Sequence, residues 1–127
     1  MPKMFMLPSP IQLRNPVTRE AIDGEGGTVS FRRWFNEAVM GARDVWAGYK
    51  ALRAANKIED AIEAAEKGDG TIVLDNEHYE LLKKAAESDA CAASWVQLAI
   101  ARQLLPFIDA IVDATDYIAA KPKAAGE

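Results

Sequence analysis

The chain has 127 residues, 50% of them hydrophobic and 27% charged, which is enough apolar material for one buried core and too much for a disordered or collagen-like chain. Its 15 basic and 19 acidic side chains leave a net charge of −4, so generic polyanion binding by the whole surface is excluded. One cysteine, Cys91, rules out an internal disulfide framework, and no apolar run reaches the ~18–20 residues that a membrane span needs.

Pro2, Pro8, Pro10 and Pro16 all fall at the start of the chain, where each fixes φ and removes a backbone donor. They predict an extended, irregular arm over residues 1–29 that includes a glycine-rich loop, Asp23–Gly27. The start is too short and too proline-broken for a secretory leader. Phe5, Leu7, Ile11 and Leu13 make the arm too apolar for a free linker, so it is expected to dock, on its own domain or on a partner. Asn15-Pro16 signals a turn. Val17–Ile22 and Thr28–Phe31 read as the two arms of a loose hairpin.

Helical periodicity starts at Phe31, with Ser30 as N-cap. Phe31, Phe35, Ala38, Ala42, Val45, Tyr49 and Leu52 form one stripe, resumed at Ile58, Ile62 and Ala65 after a slip near Ala55. Either one long helix bends there or two helices meet near Gly48. Gly41, Gly48, Ala51 and Ala55 suggest a small-residue seam for close helix packing. Lys67–Gly70 ends the helix, and Thr71–Leu74 is a short β-branched run. Asp75 then caps a helix from Asn76 to about Ser88, with Tyr79, Leu82 and Ala86 facing inward. Another helix runs from Asp89 through Trp95 to Leu105, and Pro106 either kinks it or opens a last helix. Residues 121–127 read as a flexible tail. The expected fold is mainly α, three to five helices in one domain over residues 30–120, with the arm and a short hairpin at most.

Few residues form a pattern that carries chemistry. Asp69-Gly70-Thr71 resembles the second half of a calcium loop, but Ala65, Lys67 and Asn76 stand where carboxylates are needed. Asp109, Asp113 and Asp116 share one helical face with no second acidic row to complete a metal site. His78 is the sole histidine and Cys91 has no CxxC or CxxH companion, so neither zinc binding nor a nucleophilic pair is indicated. No catalytic residue, metal or cofactor is therefore expected. Arg43, Lys50 and Lys57 recur every seven residues with Arg53 beside them, a stripe able to grip a phosphate backbone. Residues 31–66 nevertheless hold six bases and six acids, so that stripe can be neutralised by its own chain. Residues 67–127 hold six bases and ten acids, which accounts for the whole net charge. Trp34 and Phe35 are adjacent and cannot both centre a narrow stripe; with Trp46 and Tyr49 they make a wide apolar face suited to a core, an interface, or both.

Three stretches, Asn15-Pro16-Val17-Thr18, Thr28–Phe35 and Gly70–Leu82, together with Gln103–Phe107, resemble small accessory proteins encoded by tailed bacteriophages. The resemblance implies a non-enzymatic protein that works through protein contacts as a virion, tail or assembly component, in the bacterial cytoplasm or the particle. The alternative is a host-directed regulator that binds one bacterial protein or nucleoprotein complex. The residues expected to meet a protein partner, or a second copy, are Phe5, Leu7, Ile11, Leu13, Trp34, Trp46 and Tyr49. Arg43, Lys50, Arg53 and Lys57 are the less favoured candidates for nucleic acid.

Overall fold

A computed structural model describes residues 2–22, 27–89, 91 and 98–116. Most of the loop at 23–27 and the tail at 121–127 lie outside the described residues, as do residues 90 and 92–97, Trp95 among them, of the helix expected from Asp89 to Leu105.

The chain is mixed α/β, with two small sheets, and the expectation of a mainly α fold is thereby corrected. Strand β1 (Lys3–Met6) lies in the first segment, where the prolines predict irregular structure. Pro2, Pro8 and Pro10 bracket the strand rather than interrupt it, so no ladder hydrogen bond is lost. β1 runs antiparallel to β4 (Thr71–Leu74), with Phe5 opposite Ile72, and antiparallel to β5 (Thr115–Asp116), with Lys3 opposite Asp116. It is thus the central strand of the order β4-β1-β5 and ties together three distant parts of the sequence. Period-2 alternation sends Phe5, Ile72 and Leu74 into the core, while Met6 and Val73 remain exposed.

The second sheet pairs β2 (Ile11–Gln12) with β3 (Thr28–Val29), Ile11 opposite Val29. The hairpin expected between residues 17–22 and 28–31 does not form. Residues 21 and 22 return instead to 13 and 14, through the Arg14–Ala21 bridge and the Ile22 N–H to Leu13 carbonyl bond of 2.9 Å. The Gln12 side chain explains the difference. Its amide nitrogen donates to the carbonyls of Leu13, Ile22 and Gly27 at 2.9–3.0 Å, and its oxygen accepts from the Thr28 hydroxyl at 3.1 Å. One side chain thus holds the three segments together.

Helix α1 (Phe31–Glu37) begins as expected, the Ser30 hydroxyl accepting from the Arg33 N–H at 3.1 Å. It ends far short of Leu52. A 3₁₀ turn at Val39–Gly41 follows, and α2 (Tyr49–Lys67) starts anew behind Gly48, whose φ of 97° no ordinary residue adopts comfortably. Of the stripe expected across this break, Ala38 and Ala42 are buried by tertiary packing, not by one helix face, Val45 is half-buried, and Tyr49 and Leu52 are exposed. Trp46 secures the turn, donating its indole N–H to the Val39 carbonyl at 2.9 Å. The expected glycine seam is absent: Gly41 is exposed, and a Cβ on Gly48 would meet nothing within 4 Å.

α2 buries Ala54, Ala55, Ile58, Ile62 and Ala65, and α3 (Asn76–Ala86) buries Tyr79, Leu82, Ala85 and Ala86. Asp75 holds the N-cap position of α3 without a side-chain cap bond. Gly70, at φ 85°, makes the reversal from α2 into β4. A short helix α4 (Leu98–Ala101) and a 3₁₀ turn lead into α5 (Leu105–Val112), where Pro106 lies in the first turn, a position that tolerates its missing N–H. α5 ends at Val112, and Asp116 belongs to β5. Of the three aspartates expected on one helix face, Asp109 is therefore in α5, Asp113 at its C-cap and Asp116 in β5.

Phe31 is the centre of the core. Its ring lies 5.8 Å from Phe5, 5.4 Å from Trp34 and 5.5 Å from Phe107, centroid to centroid, so that β1, α1 and α5 meet through edge-on and tilted aromatic contacts. Phe35 makes a separate T-shaped contact with Trp46. Phe5, Leu13 and Val29 belong to the same cluster as the helices.

Candidate functional site: the groove between α2 and α3

An open groove of about 980 Å³ is lined by residues of α2 and α3. Its floor is Ala47, Ala51, Ala54 and Leu81. The wall on α2 is Lys50, Arg53 and Lys57, a purely basic rim at helical spacings of three and four. The opposite wall, along α3, carries both signs, Glu77 and Glu80 in its first half and Lys83, Lys84 and Glu87 in its second, with His78 beside them.

Local sequence explains this shape. The core stripe of α2 runs through Ala55, Ile58, Ile62 and Ala65, so Ala51 and Ala54 fall on its flank, where a small side chain leaves space. On α3, Leu82 takes the core position and its neighbour Leu81 is turned onto the groove floor. The first turns of the two helices approach at Lys50 and Glu77, 3.9 Å apart.

Away from the groove, Lys3 pairs with Asp116 at 2.7 Å, Arg32 with Glu59 and Glu66 at 3.5 and 3.3 Å, Arg33 with Glu37 at 2.9 Å, and Lys67 with Glu63 at 3.4 Å, while Arg14, Arg19, Arg43 and Arg102 have no ion pair among the described residues. Within the groove, Lys50 has only the long contact to Glu77, and Lys57, Lys83 and Lys84 have no ion pair among the described residues. Arg53 stacks on the Tyr49 ring, 5.3 Å from its centroid, and donates to the Tyr49 hydroxyl at 2.9 Å. Glu59, Glu63 and Glu66 of α2 are thus engaged on its other flank while Asp60 is exposed with no ion pair among the described residues, and the neutralisation expected for the basic stripe from residues 31–66 reaches only Arg32 and Arg33.

The residues expected to meet a partner are scattered by the fold. Phe5, Leu13, Trp34 and Trp46 are buried in the chain's own core, and Leu7 and Ile11 are half-buried against it. Tyr49 is 74% exposed, at the start of α2 beside exposed Leu52. Of the basic residues, Lys50, Arg53 and Lys57 line the groove, while Arg43 lies in the non-helical turn before it. The α3 wall was missed by the sequence reading. Its signal is the pair Leu81-Leu82, only one of which can centre a narrow helical stripe.

Cys91 is buried, and burial pushes its thiol up to about 11, which leaves little thiolate for nucleophilic or metal chemistry near neutral pH. Among the described residues, no three histidine, cysteine or acidic side chains converge as metal ligands, and no helix is long and apolar enough to cross a membrane. No family model, curated protein or solved structure matches the chain.

Proposed function

We propose that this protein is a non-enzymatic binding protein, and that the groove between α2 and α3 is the surface with which it holds another protein. The observation that carries the reading is a concave, alanine-floored channel whose rim holds cations left without strong carboxylate partners. An apolar floor with charged walls is the arrangement by which a groove takes an amphipathic helix. The buried, poorly ionised Cys91 is unsuited to act as a nucleophile, which supports a role without catalysis. The resemblance to phage accessory proteins suggests a virion, tail or assembly partner.

Affinity capture from a bacterial lysate, followed by reconstitution with the purified captured protein, tests this with three baits. A partner specific to the groove is held by the native protein and by Met6→Glu, which changes a distant exposed position, and is lost with Ala51→Trp, which fills the channel. A partner retained by Ala51→Trp, or no reconstituted partner, contradicts the reading.

A further inference from the structure

We propose that the occupant of the α2–α3 groove is an acidic amphipathic helix of another protein, an inference that rests on the groove being the working surface. Its apolar stripe lies on Ala51, Ala54 and Leu81, and its carboxylates face Lys50, Arg53 and Lys57.

Three features of the molecule select this occupant. The first is charge. Of the four acids of α2, Glu59, Glu63 and Glu66 are turned to Arg32 and Lys67, and Asp60 is exposed outside the groove lining. The groove-facing rim of α2 is left as three cations with no acid between them in the lining. Carboxylates brought by a partner supply the missing half of those pairs.

The second is size. The lining runs from residue 50 to 57 on α2, with Ala47 just before the helix, and from 77 to 87 along α3, about two helical turns on the first wall and three on the second. Alanines at 47, 51 and 54 let a helix backbone approach closely, and a convex cylinder of about 10 Å diameter is the complement of a channel between two helices. A second copy offering the same face would set one hollow against another and leave both floors uncovered.

The third is the sign pattern of the far wall. Glu77, Glu80 and Glu87 stand in the same channel as the basic rim. They repel a continuous phosphate backbone, whereas a helix with acids on one flank only can turn its other flank toward them.

The test uses the full chain and three blocked synthetic peptides of about four turns. Each carries the same leucine stripe, with the flanking positions made Glu, Gln or Lys. Fluorescence anisotropy gives affinity, and amide chemical shifts locate the binding. The expected order is Glu over Gln over Lys, with the Glu peptide at least about tenfold tighter than the Gln peptide at low salt and the gap closing as salt is raised. Shifts are confined to α2 and α3. Lys57→Glu, at an exposed position that leaves the core untouched, reverses the preference toward the Lys peptide.

Equal binding of the Glu and Gln peptides in the groove overturns the acidic partner while leaving the groove as a helix receptor. Failure of all three peptides to shift α2 or α3 overturns the helical occupant, and the capture experiment then judges the groove separately. Tighter binding of duplex DNA that is weakened by Lys57→Glu, or dimerisation that moves the same amides, assigns the groove to nucleic acid or to a second copy and overturns the proposal.

Discussion

The hydroxyl of Tyr79 donates to the main-chain carbonyl of Ile111 across a buried 2.6 Å hydrogen bond, which joins α3, the helix carrying one wall of the groove, to α5. Tyr79 is only 4% exposed, and burial pushes its hydroxyl above the ordinary tyrosine range, so it stays protonated as a donor. Tyr79→Phe keeps the ring and leaves the Ile111 oxygen without this partner. The expected loss is about 1–3 kcal/mol in urea unfolding, with the helical dichroism of the native state unchanged. A loss near zero would mean that water replaces the hydroxyl.

The sheet has a second long-range fastening in Lys3 and Asp116. The hydrogen bond from Lys3 Nζ, with its positive charge, holds the Asp116 carboxyl below the ordinary carboxylate range, and the same bond raises the lysine. Asp116 therefore stabilises the fold above its unfolded pKa and ceases to do so as pH falls through its lowered folded value. Lys3 contributes below the ordinary lysine value and is lost as pH rises through its raised one. Between these limits the pair holds β5 on β1. In Lys3→Met, the NMR titration midpoint of the Asp116 carboxyl is expected to rise toward that of a free aspartate. Added salt should move the native midpoint the same way, because both groups face solvent. An unchanged midpoint in Lys3→Met would show that the pair does not form in solution.

Local pattern announces some elements and leaves their partners unnamed. α3 is legible because Tyr79, Leu82 and Ala86 keep strict helical spacing between an aspartate and a Glu-Ser boundary, and β4 is legible as a β-branched run. Nothing near Thr71–Leu74 says that its partner is Lys3–Met6, since strand pairing is a long-range choice governed by what buries Phe5 against Ile72. The prolines misdirect in the same segment. They forbid an interior strand only at their own positions, and Pro2 and Pro8 stand just outside β1. Between Ala38 and Trp46 the reverse occurs, where Ala38, Ala42 and Trp46 keep a helical spacing through a non-helical turn because tertiary contacts bury them.

The groove is half legible for a related reason. Lys50, Arg53 and Lys57 stand out as a stripe on one helix, but which acids answer them depends on the neighbour. Glu59 is only two residues from Lys57, yet Arg32 of α1 takes it, together with Glu66. The second wall comes from α3, and no periodicity within α2 encodes that juxtaposition. The apolar arm was readable as a docking segment; only the fold shows that Phe5 and Leu13 are spent on the chain's own core.

Two glycines are held for different reasons, and alanine separates them. A Cβ on Gly27 would lie 1.9 Å from the Ile22 carbonyl oxygen, a main-chain atom that cannot swing aside, at the junction fixed by Gln12. Gly27→Ala is expected to cost at least about 1–3 kcal/mol as an overpacked site and to shift amides around Leu13 and Ile22. Gly48→Ala meets no atom within 4 Å, but it forces alanine to φ 97° and ψ 158° at the start of α2. Its cost of about 1–3 kcal/mol is conformational and should appear as fraying of the first turn of α2. Comparable spectra for the two variants would contradict the distinction.

The aromatic core gives the largest expected effect of a single side chain. Phe107 is fully buried, 5.5 Å from Phe31 and 5.4 Å from Trp34, and it is the ring through which α5 joins the cluster that also holds Phe5 of β1. Phe107→Ala removes dispersion contacts to both neighbours and leaves a cavity that rigid rings cannot collapse to fill, at a cost of about 3–5 kcal/mol. Against the total stability of about 5–15 kcal/mol usual for a domain, that loss consumes a large share. Phe107→Leu retains much of the volume and should cost less. If urea unfolding gives the two substitutions the same small effect, the site relaxes around the missing ring and α5 is held chiefly by Ile111 and its bond to Tyr79.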